Sequence, residues 1–199
     1  MINSKILKFI EKLNTNNLQN IKKKKIDSLI QLIGNTDQAI KLNYICTHNS
    51  RRSQLSQIWS ETLSVYFNKK NIFSFSGGTQ VTEVYEGLIL LLEQVGFNIT
   101  KESKVINSTL SIDYGDPNNK IKIYSKLFNC NSNPKTNFIA IINCESADKN
   151  CPIVHGAEYK FFLPFKDPKL MDGTNNENIY YSKTNMEIAS TLKYLFENI

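Results

Sequence analysis

The sequence predicts an α/β domain built on a parallel sheet, and three observations point there. The continuous apolar run Phe138–Asn143 (FIAIIN) reads as a strand buried on both faces. From residue 41 onward, strand-like and helix-like stretches alternate. Glycines stand where several of these stretches stop, at Gly34, Gly77-Gly78 and Gly96.

The elements follow in order. Residues 1–40 read as a helical extension packed on the main domain. Ile6, Leu7, Phe9, Ile10 and Leu13 recur at helical spacing, and Ile26, Leu29, Ile30, Leu32 and Ile33 repeat the pattern. Asp27 or Ser28 opens the second helix, and Gly34-Asn35 ends it. Residues 41–199 then form the main domain. Lys41–Cys46 is a short apolar-rich strand, and the helix after it carries Leu55, Ile58, Trp59, Thr62, Leu63 and Tyr66 on one face. Asn71–Phe75 is a second strand. A helix opening at Thr82 or Glu83 turns Val84, Leu88, Leu91, Leu92 and Val95 inward. Lys120–Leu127 alternates as an added strand, Phe161–Phe165 is a further strand, and Met186–Phe196 is a terminal helix.

At 199 residues and 41% hydrophobic content, the chain suits one domain with a real core. No apolar run is long enough to span a bilayer, and MINSKILKFIEKLN lacks the apolar centre of a signal peptide. The expectation is a cytoplasmic protein with neither a membrane nor a nucleic acid as partner. The net charge of +6 suits an anionic substrate. The run Lys22-Lys23-Lys24-Lys25 has no interleaved aromatics and reads as a solvated turn between two helices. Of the four cysteines, none forms a CxxC pair, and His48 and His155 are far apart, so no structural metal site is expected. In a reducing compartment the cysteines point to thiol chemistry.

The stretch ICTHNSRRS, Ile45 to Ser53, concentrates that chemistry. Cys46 ends a strand, a tight polar loop follows, and Arg52-Ser53 opens a helix. Ligands of open α/β sheets bind beyond the carboxyl ends of strands. A helix N-terminus offers free N–H groups and a positive dipole end. The guanidinium of Arg52 can grip two oxygens of a tetrahedral oxyanion, and the same field favours a thiolate nucleophile at Cys46. The oxyanion-binding set is therefore Thr47, His48, Asn49, Ser50, Arg51, Arg52 and Ser53.

This C-x5-R-S loop between strand and helix resembles the phosphate-binding loop of the low-molecular-weight protein tyrosine phosphatase superfamily. That superfamily holds both phosphatases and thioredoxin-coupled arsenate reductases. The resemblance implies a three-layer fold with a central, mostly parallel sheet of four to five strands flanked by helices. It makes Cys46 the nucleophile, Arg52 the oxyanion clamp, Ser53 a hydrogen-bond donor to the thiolate, and Asn49 the residue that holds the loop in shape. His48 stands where the family has Gly, so it is expected in the left-handed backbone region with its side chain toward solvent. Arg51 replaces a frequent Cys. Gln57 stands where a helix glutamate helps hold potassium in the reductases, so that ion is not expected, and no metal ligands are assigned.

The superfamily's general acid is an Asp-Pro far downstream, and Asp167-Pro168 matches, with Asp172 as a fallback. Lys169 stands where the tyrosine phosphatases have an aromatic residue. Cys144 and Cys151 flank six residues, with Pro152 after the second, and resemble the redox segment of the thioredoxin-coupled reductases. On a helix the two would share a face about 10 Å apart along the axis, so a disulfide between them requires unwinding. The resemblance covers residues 41–199, interrupted by extra sequence near 111–136 that contains Cys130, for which it gives no role.

The resemblance implies reduction of arsenate to arsenite by Cys46, Arg52, Asp167, Cys144 and Cys151. Electrons come from thioredoxin, and no bound cofactor takes part. The partners expected are an arsenate or phosphate oxyanion, free or on a phosphoprotein, and thioredoxin. The alternatives are a tyrosine phosphatase that needs Cys46, Arg52 and Asp167 alone, and a non-catalytic oxyanion or thiol sensor.

Overall fold

The computed structural model describes residues 1–34, 38–150 and 153–199. Two helices come first, α1 (Ser4–Lys12) and α2 (Asn20–Gly34). Next are β1 (Ile40–Cys46), α3 (Arg52–Tyr66), β2 (Ile72–Gly78) and α4 (Glu86–Val95). Three short strands follow, β3 (Asn98–Lys101), β4 (Leu110–Asp113) and β5 (Ile121–Ile123). Then β6 (Phe138–Ile142), α5 (Glu145–Asn150) and β7 (Ala157–Phe162) lead through a 3₁₀ turn at Pro168–Met171 to α6 (Glu177–Glu197).

The central sheet has four parallel strands in the order β2-β1-β6-β7. Ile45 aligns with Gly77 on one side and Ile142 on the other, so Cys46 and Asn143 leave neighbouring strands at the same sheet end. Alternation along β1 separates two cores. Leu42 and Tyr44 join the large one, with α1, α2, α3, α4 and α6. Ile45 and Cys46 join a smaller one with Ala140, Ile142, Cys144 and Ala147, against α5. The result is a three-layer α/β fold, as the sequence predicts.

Trp59 on α3 organises the large core. Its ring stacks on Phe9 of α1 at 5.1 Å, meets Phe97 edge-on at 5.5 Å, and its Nε1 donates to Asn185 Oδ1 at 2.7 Å. Ile6 and Ile10 of α1 are fully buried, each contributing about 2 kcal/mol over exposure. The first helix is thus part of the main core. The lysine run differs from its sequence reading: Lys22 to Lys25 lie inside α2, which begins at Asn20 rather than near Asp27. Lys22 and Lys25 lie over the rings of Phe165 and Phe162 at 4.5 and 4.8 Å, with Lys22 also paired to Glu187. Asn35, expected to help end α2, lies outside the described residues.

Four further boundaries differ. β3, β4 and β5 form a separate three-stranded antiparallel sheet where one added strand was expected. The last parallel strand runs from Ala157 to Phe162 rather than from Phe161 to Phe165, because its exposed Glu158, Tyr159 and Lys160 hide it, as polar side chains do on edge strands. α4 begins at Glu86 rather than Thr82 or Glu83. The Thr82 N–H donates to Ser125 Oγ and the Tyr85 N–H to the Ser50 carbonyl, which keeps this segment extended against the loop after β1. α6 begins at Glu177, nine residues before the expected Met186. No described helix is long and apolar enough to cross a membrane.

Candidate active site

The loop from Cys46 to Ser53 is fixed by bonds to four other segments. Gln80 N–H donates to the Thr47 carbonyl at 2.8 Å, and Ser125 Oγ donates to the His48 carbonyl at 2.8 Å. Asn49 holds both sides at once. Its Nδ2 donates to Ser53 Oγ at 2.8 Å, while its Oδ1 accepts from the Lys126 N–H at 3.0 Å and its carbonyl accepts from Gln54 Nε2 at 3.0 Å. Asn49, not His48, takes the left-handed conformation, with φ 47°. An Asn tolerates this region, and here its side chain is bonded on both ends in that geometry. His48 is half-buried and keeps φ negative. Gly78 is required behind the loop: a β-carbon there would lie 2.6 Å from the Thr47 oxygen and 2.9 Å from the Asn49 nitrogen.

Inside this frame Cys46 is 3% exposed, and its Sγ lies 3.0 Å from Ser53 Oγ. The backbone N–H groups from Thr47 to Ser53 donate to no acceptor among the described residues. An uncommitted run of donors at the start of α3, beside a buried thiol, is what a tetrahedral oxyanion needs.

The two arginines take different partners. Arg52 Nη2 donates to Asp167 Oδ2 at 2.6 Å, and its Nη1 to the Phe165 carbonyl at 3.2 Å. Asp167 also caps the 3₁₀ turn, accepting from the Lys169 N–H at 3.2 Å. The clamp and the acid expected from sequence are therefore adjacent, joined by an ion pair. Arg51 points elsewhere. Its Nη2 meets Asp172 Oδ2 at 2.5 Å, its Nε donates to Tyr181 Oη at 2.5 Å, and it lies 4.0 Å from the Tyr85 ring centre. Tyr181 Oη in turn donates to Asp172 Oδ1 at 2.8 Å, and burial pushes that phenol above its ordinary pKa. The Arg51 side chain thus clamps the loop to α6, and Asp172 serves that clamp.

Cys144 is 3% exposed just before α5, with its Sγ 3.4 Å from Thr47 Oγ1 and accepting from the Ala147 N–H at 3.4 Å. A second thiol therefore touches the loop. Cys151 lies outside the described residues. Cys130 is half-buried beside Ser132 at 3.1 Å, away from the loop. Cys46, Cys130 and Cys144 are free thiols. A cavity of about 500 Å³ reaches this place, lined by Arg52, Asp167, Cys144 and Phe165 and walled on one side by Lys22 and Lys25 of α2. Sequence reasoning missed that wall, and also Gln54, Ser125, Lys126 and Tyr181 as supports of the loop. None lies in a local pattern that marks it. Gln57 accepts from Ser76 Oγ at 2.7 Å and donates to Glu61 at 2.8 Å.

Neither a family model nor a curated protein matches the sequence. Solved structures do match the fold. The low-molecular-weight protein tyrosine phosphatase from T. tengcongensis superposes with a TM-score of 0.56 at 17% identity, over 80% of this chain and 99% of that one. The chain has the low-molecular-weight phosphatase fold. An arsenate reductase in its phosphate-binding state shares that fold at a TM-score of 0.50 and 18% identity, over 80% and 98% of the two chains. So does an arginine phosphatase from Geobacillus stearothermophilus, at 0.51 and 14%, over 79% and 91%. At these identities the low-molecular-weight phosphatase fold is common ground for several reactions, and the side chains must separate them.

Proposed function

We propose that the protein is a thioredoxin-coupled arsenate reductase acting through the Cys46 loop. The observation that carries this reading is the second buried thiol, Cys144, against Thr47 of that loop. Arsenate binds to the free N–H groups and to Arg52, and the Cys46 thiolate attacks arsenic. Asp167 protonates the departing oxygen, which leaves as water. The Cys144 thiolate then attacks Cys46 Sγ. The sulfur–arsenic bond breaks, its electron pair stays on arsenic, and As(V) becomes As(III), released as arsenite. Cys46 and Cys144 are left as a disulfide. Cys151 attacks Cys144 Sγ and frees Cys46, and thioredoxin reduces the resulting Cys144–Cys151 disulfide. The scheme needs no bound cofactor and a reducing compartment, which the cytoplasm provides.

A phosphatase is the second reading, favoured by one observation: Cys46, Arg52 and Asp167 are complete without Cys144. Lys169, exposed after Pro168, gives no ring to hold a phosphotyrosine, which speaks for the reductase.

Arsenate-dependent NADPH oxidation with thioredoxin and thioredoxin reductase separates the two, run beside hydrolysis of p-nitrophenyl phosphate. Cys46→Ser should lose both activities by at least about 10⁴-fold, as the loss of a nucleophile does. Cys144→Ser should lose arsenate turnover while still hydrolysing the ester. A wild type that hydrolyses the ester but never turns over arsenate would make the protein a phosphatase.

A further inference from the structure

A second cavity is larger than the one beside Arg52 and Cys144. It measures about 860 Å³ and lies between the outer edge of the parallel sheet, the flank of α3 and the small antiparallel sheet. Val65, Phe73, Phe75 and Tyr124 give it apolar surface, and the rest of the lining is largely polar, with the carboxyls of Glu61, Glu102 and Asp116 among it. Phe73 is 49% exposed, although it is a large aromatic side chain on a strand. The volume is that of small-molecule sites, which are commonly apolar with a few placed polar groups.

One of those polar groups is unusual. Lys126 lines the cavity and is only 6% exposed. Lysines are almost never this buried without a paired anion. Its ammonium makes no ion pair and donates no side-chain hydrogen bond among the described residues, and its contact is the Tyr124 ring, 4.8 Å away. Two other lysines of the lining are engaged, Lys122 with Glu102 at 3.0 Å and Lys69 with the Ile199 carbonyl, while Lys70 is exposed to solvent. Cys130 and Glu61 act on it electrostatically without an ion pair, and the Glu61 carboxylate is bonded to Gln57. Burial pushes Glu61 up to about 7 and pulls Lys126 down, and the charge of each only partly offsets the shift of the other.

We propose that this cavity is a second ligand site, for a small organic carboxylate with an apolar body, its anionic end seated on Lys126. A single buried ammonium matches one negative charge, and the apolar surface matches a hydrocarbon or aryl body. The site is also joined to the catalytic loop. The Lys126 N–H holds Asn49, Ser125 holds the His48 carbonyl, and the Tyr124 carbonyl accepts from Gln54 Nε2 at 2.9 Å. A ligand that shifts residues 124–126 therefore acts on the frame around Cys46.

The probe is 4-phenylbutyrate, titrated calorimetrically into the full chain with saturating inorganic phosphate present to occupy the Cys46 loop. The expected result is saturable binding, at least tenfold weaker in Lys126→Met and in Phe73→Glu, and at least tenfold weaker for the neutral 4-phenylbutyramide. Phe73 is half-exposed, so its replacement leaves the core filled, and the amide needs no variant at all. Both decide the matter if Lys126→Met does not fold. The proposal is overturned by the absence of saturable binding, by equal binding of the amide, by binding that survives Phe73→Glu, or by binding that phosphate abolishes.

Discussion

Two loops leave the parallel sheet side by side, one after β1 and one after β6, each with a buried cysteine at its root. They are held very differently. The loop after Cys46 is bonded to Gln80, Ser125, Lys126, Gln54 and Tyr85, and clamped to α6 through Arg51. The segment after Cys144 is a helix of six residues. Its side-chain ties among the described residues include the contact of Cys144 with Thr47 and an ion pair, Asp148 Oδ1 to Lys160 at 2.7 Å. A nucleophile that must present fixed donors to an oxyanion needs the first kind of frame. The proposed relay at Cys144, which must deliver its sulfur and pass a disulfide onward, needs the second, since movable segments are those with few contacts.

The largest effect tests the rigid side. Arg52→Lys keeps the charge and removes the fork that grips two oxygens. It should lower kcat/KM for p-nitrophenyl phosphate by about 10²–10³-fold, the cost typical of one lost oxyanion donor. A loss under tenfold would mean that the backbone donors suffice and that the frame matters less than the comparison holds.

Titration reaches the same frame from below. A hydrogen-bond chain runs from Glu61 through Gln57, Ser76 and Gln54 to the Asn49 carbonyl. Glu61 is raised from 4.5 to about 7 by burial, opposed by the Gln57 hydrogen bond and by the charge of Lys126. A folded state that holds a proton longer than the unfolded chain loses stability as pH rises between the two values. Stability should therefore fall from about pH 4.5 to about pH 7, by up to about 3 kcal/mol from this group, and then level off. Urea midpoints of the wild type and Glu61→Gln at pH 5 and pH 7.5 measure it, the variant having the flatter profile. Equal profiles would remove Glu61 from the frame.

Asn49→Ala follows, at about 2 kcal/mol from two lost buried hydrogen bonds and a left-handed backbone that Ala resists. Asn49→Gly should cost less, because the backbone is relieved while the bonds are still lost. Chemical denaturation ranks the two, and a Gly variant no better than Ala would show that φ is not the strained coordinate.

The rigid loop was legible in the sequence because its parts are contiguous: strand end, thiol, polar turn, arginine and helix start fall within ICTHNSRRS. Pro168 singled out Asp167 in the sequence, and its pairing with Arg52 appears only in the fold. The left-handed residue was misplaced by one position, since only the fold shows that Asn49, bonded by Ser53 and Lys126, gains from that geometry. The antiparallel sheet was not legible. Its strands are three or four residues long, too short for a period to register. Nor was the second cavity, which Glu61 and Lys126 line together only through the placement of that sheet beside α3. The lysines of α2 looked like solvated charge, because a sequence does not show that Phe162 and Phe165 lie beneath them.

The smallest effect falls on the loosely held side. Asp148→Asn removes the charge that ties α5 to Lys160. The pair is partly exposed, so global stability should fall by less than about 1 kcal/mol. Locally the same loss matters more. Cys144 is 3% exposed, so a reagent reaches it only when the segment opens. A local cost lowered by about 0.5–1 kcal/mol raises the open fraction about two- to fivefold. The alkylation rate of Cys144 by iodoacetamide, read by peptide mass spectrometry, should rise by that factor, while the rate at Cys46 stays unchanged. If Cys46 accelerates equally, the two loops open as one unit and the contrast between them is false. If neither changes, α5 is held by something other than its ion pair.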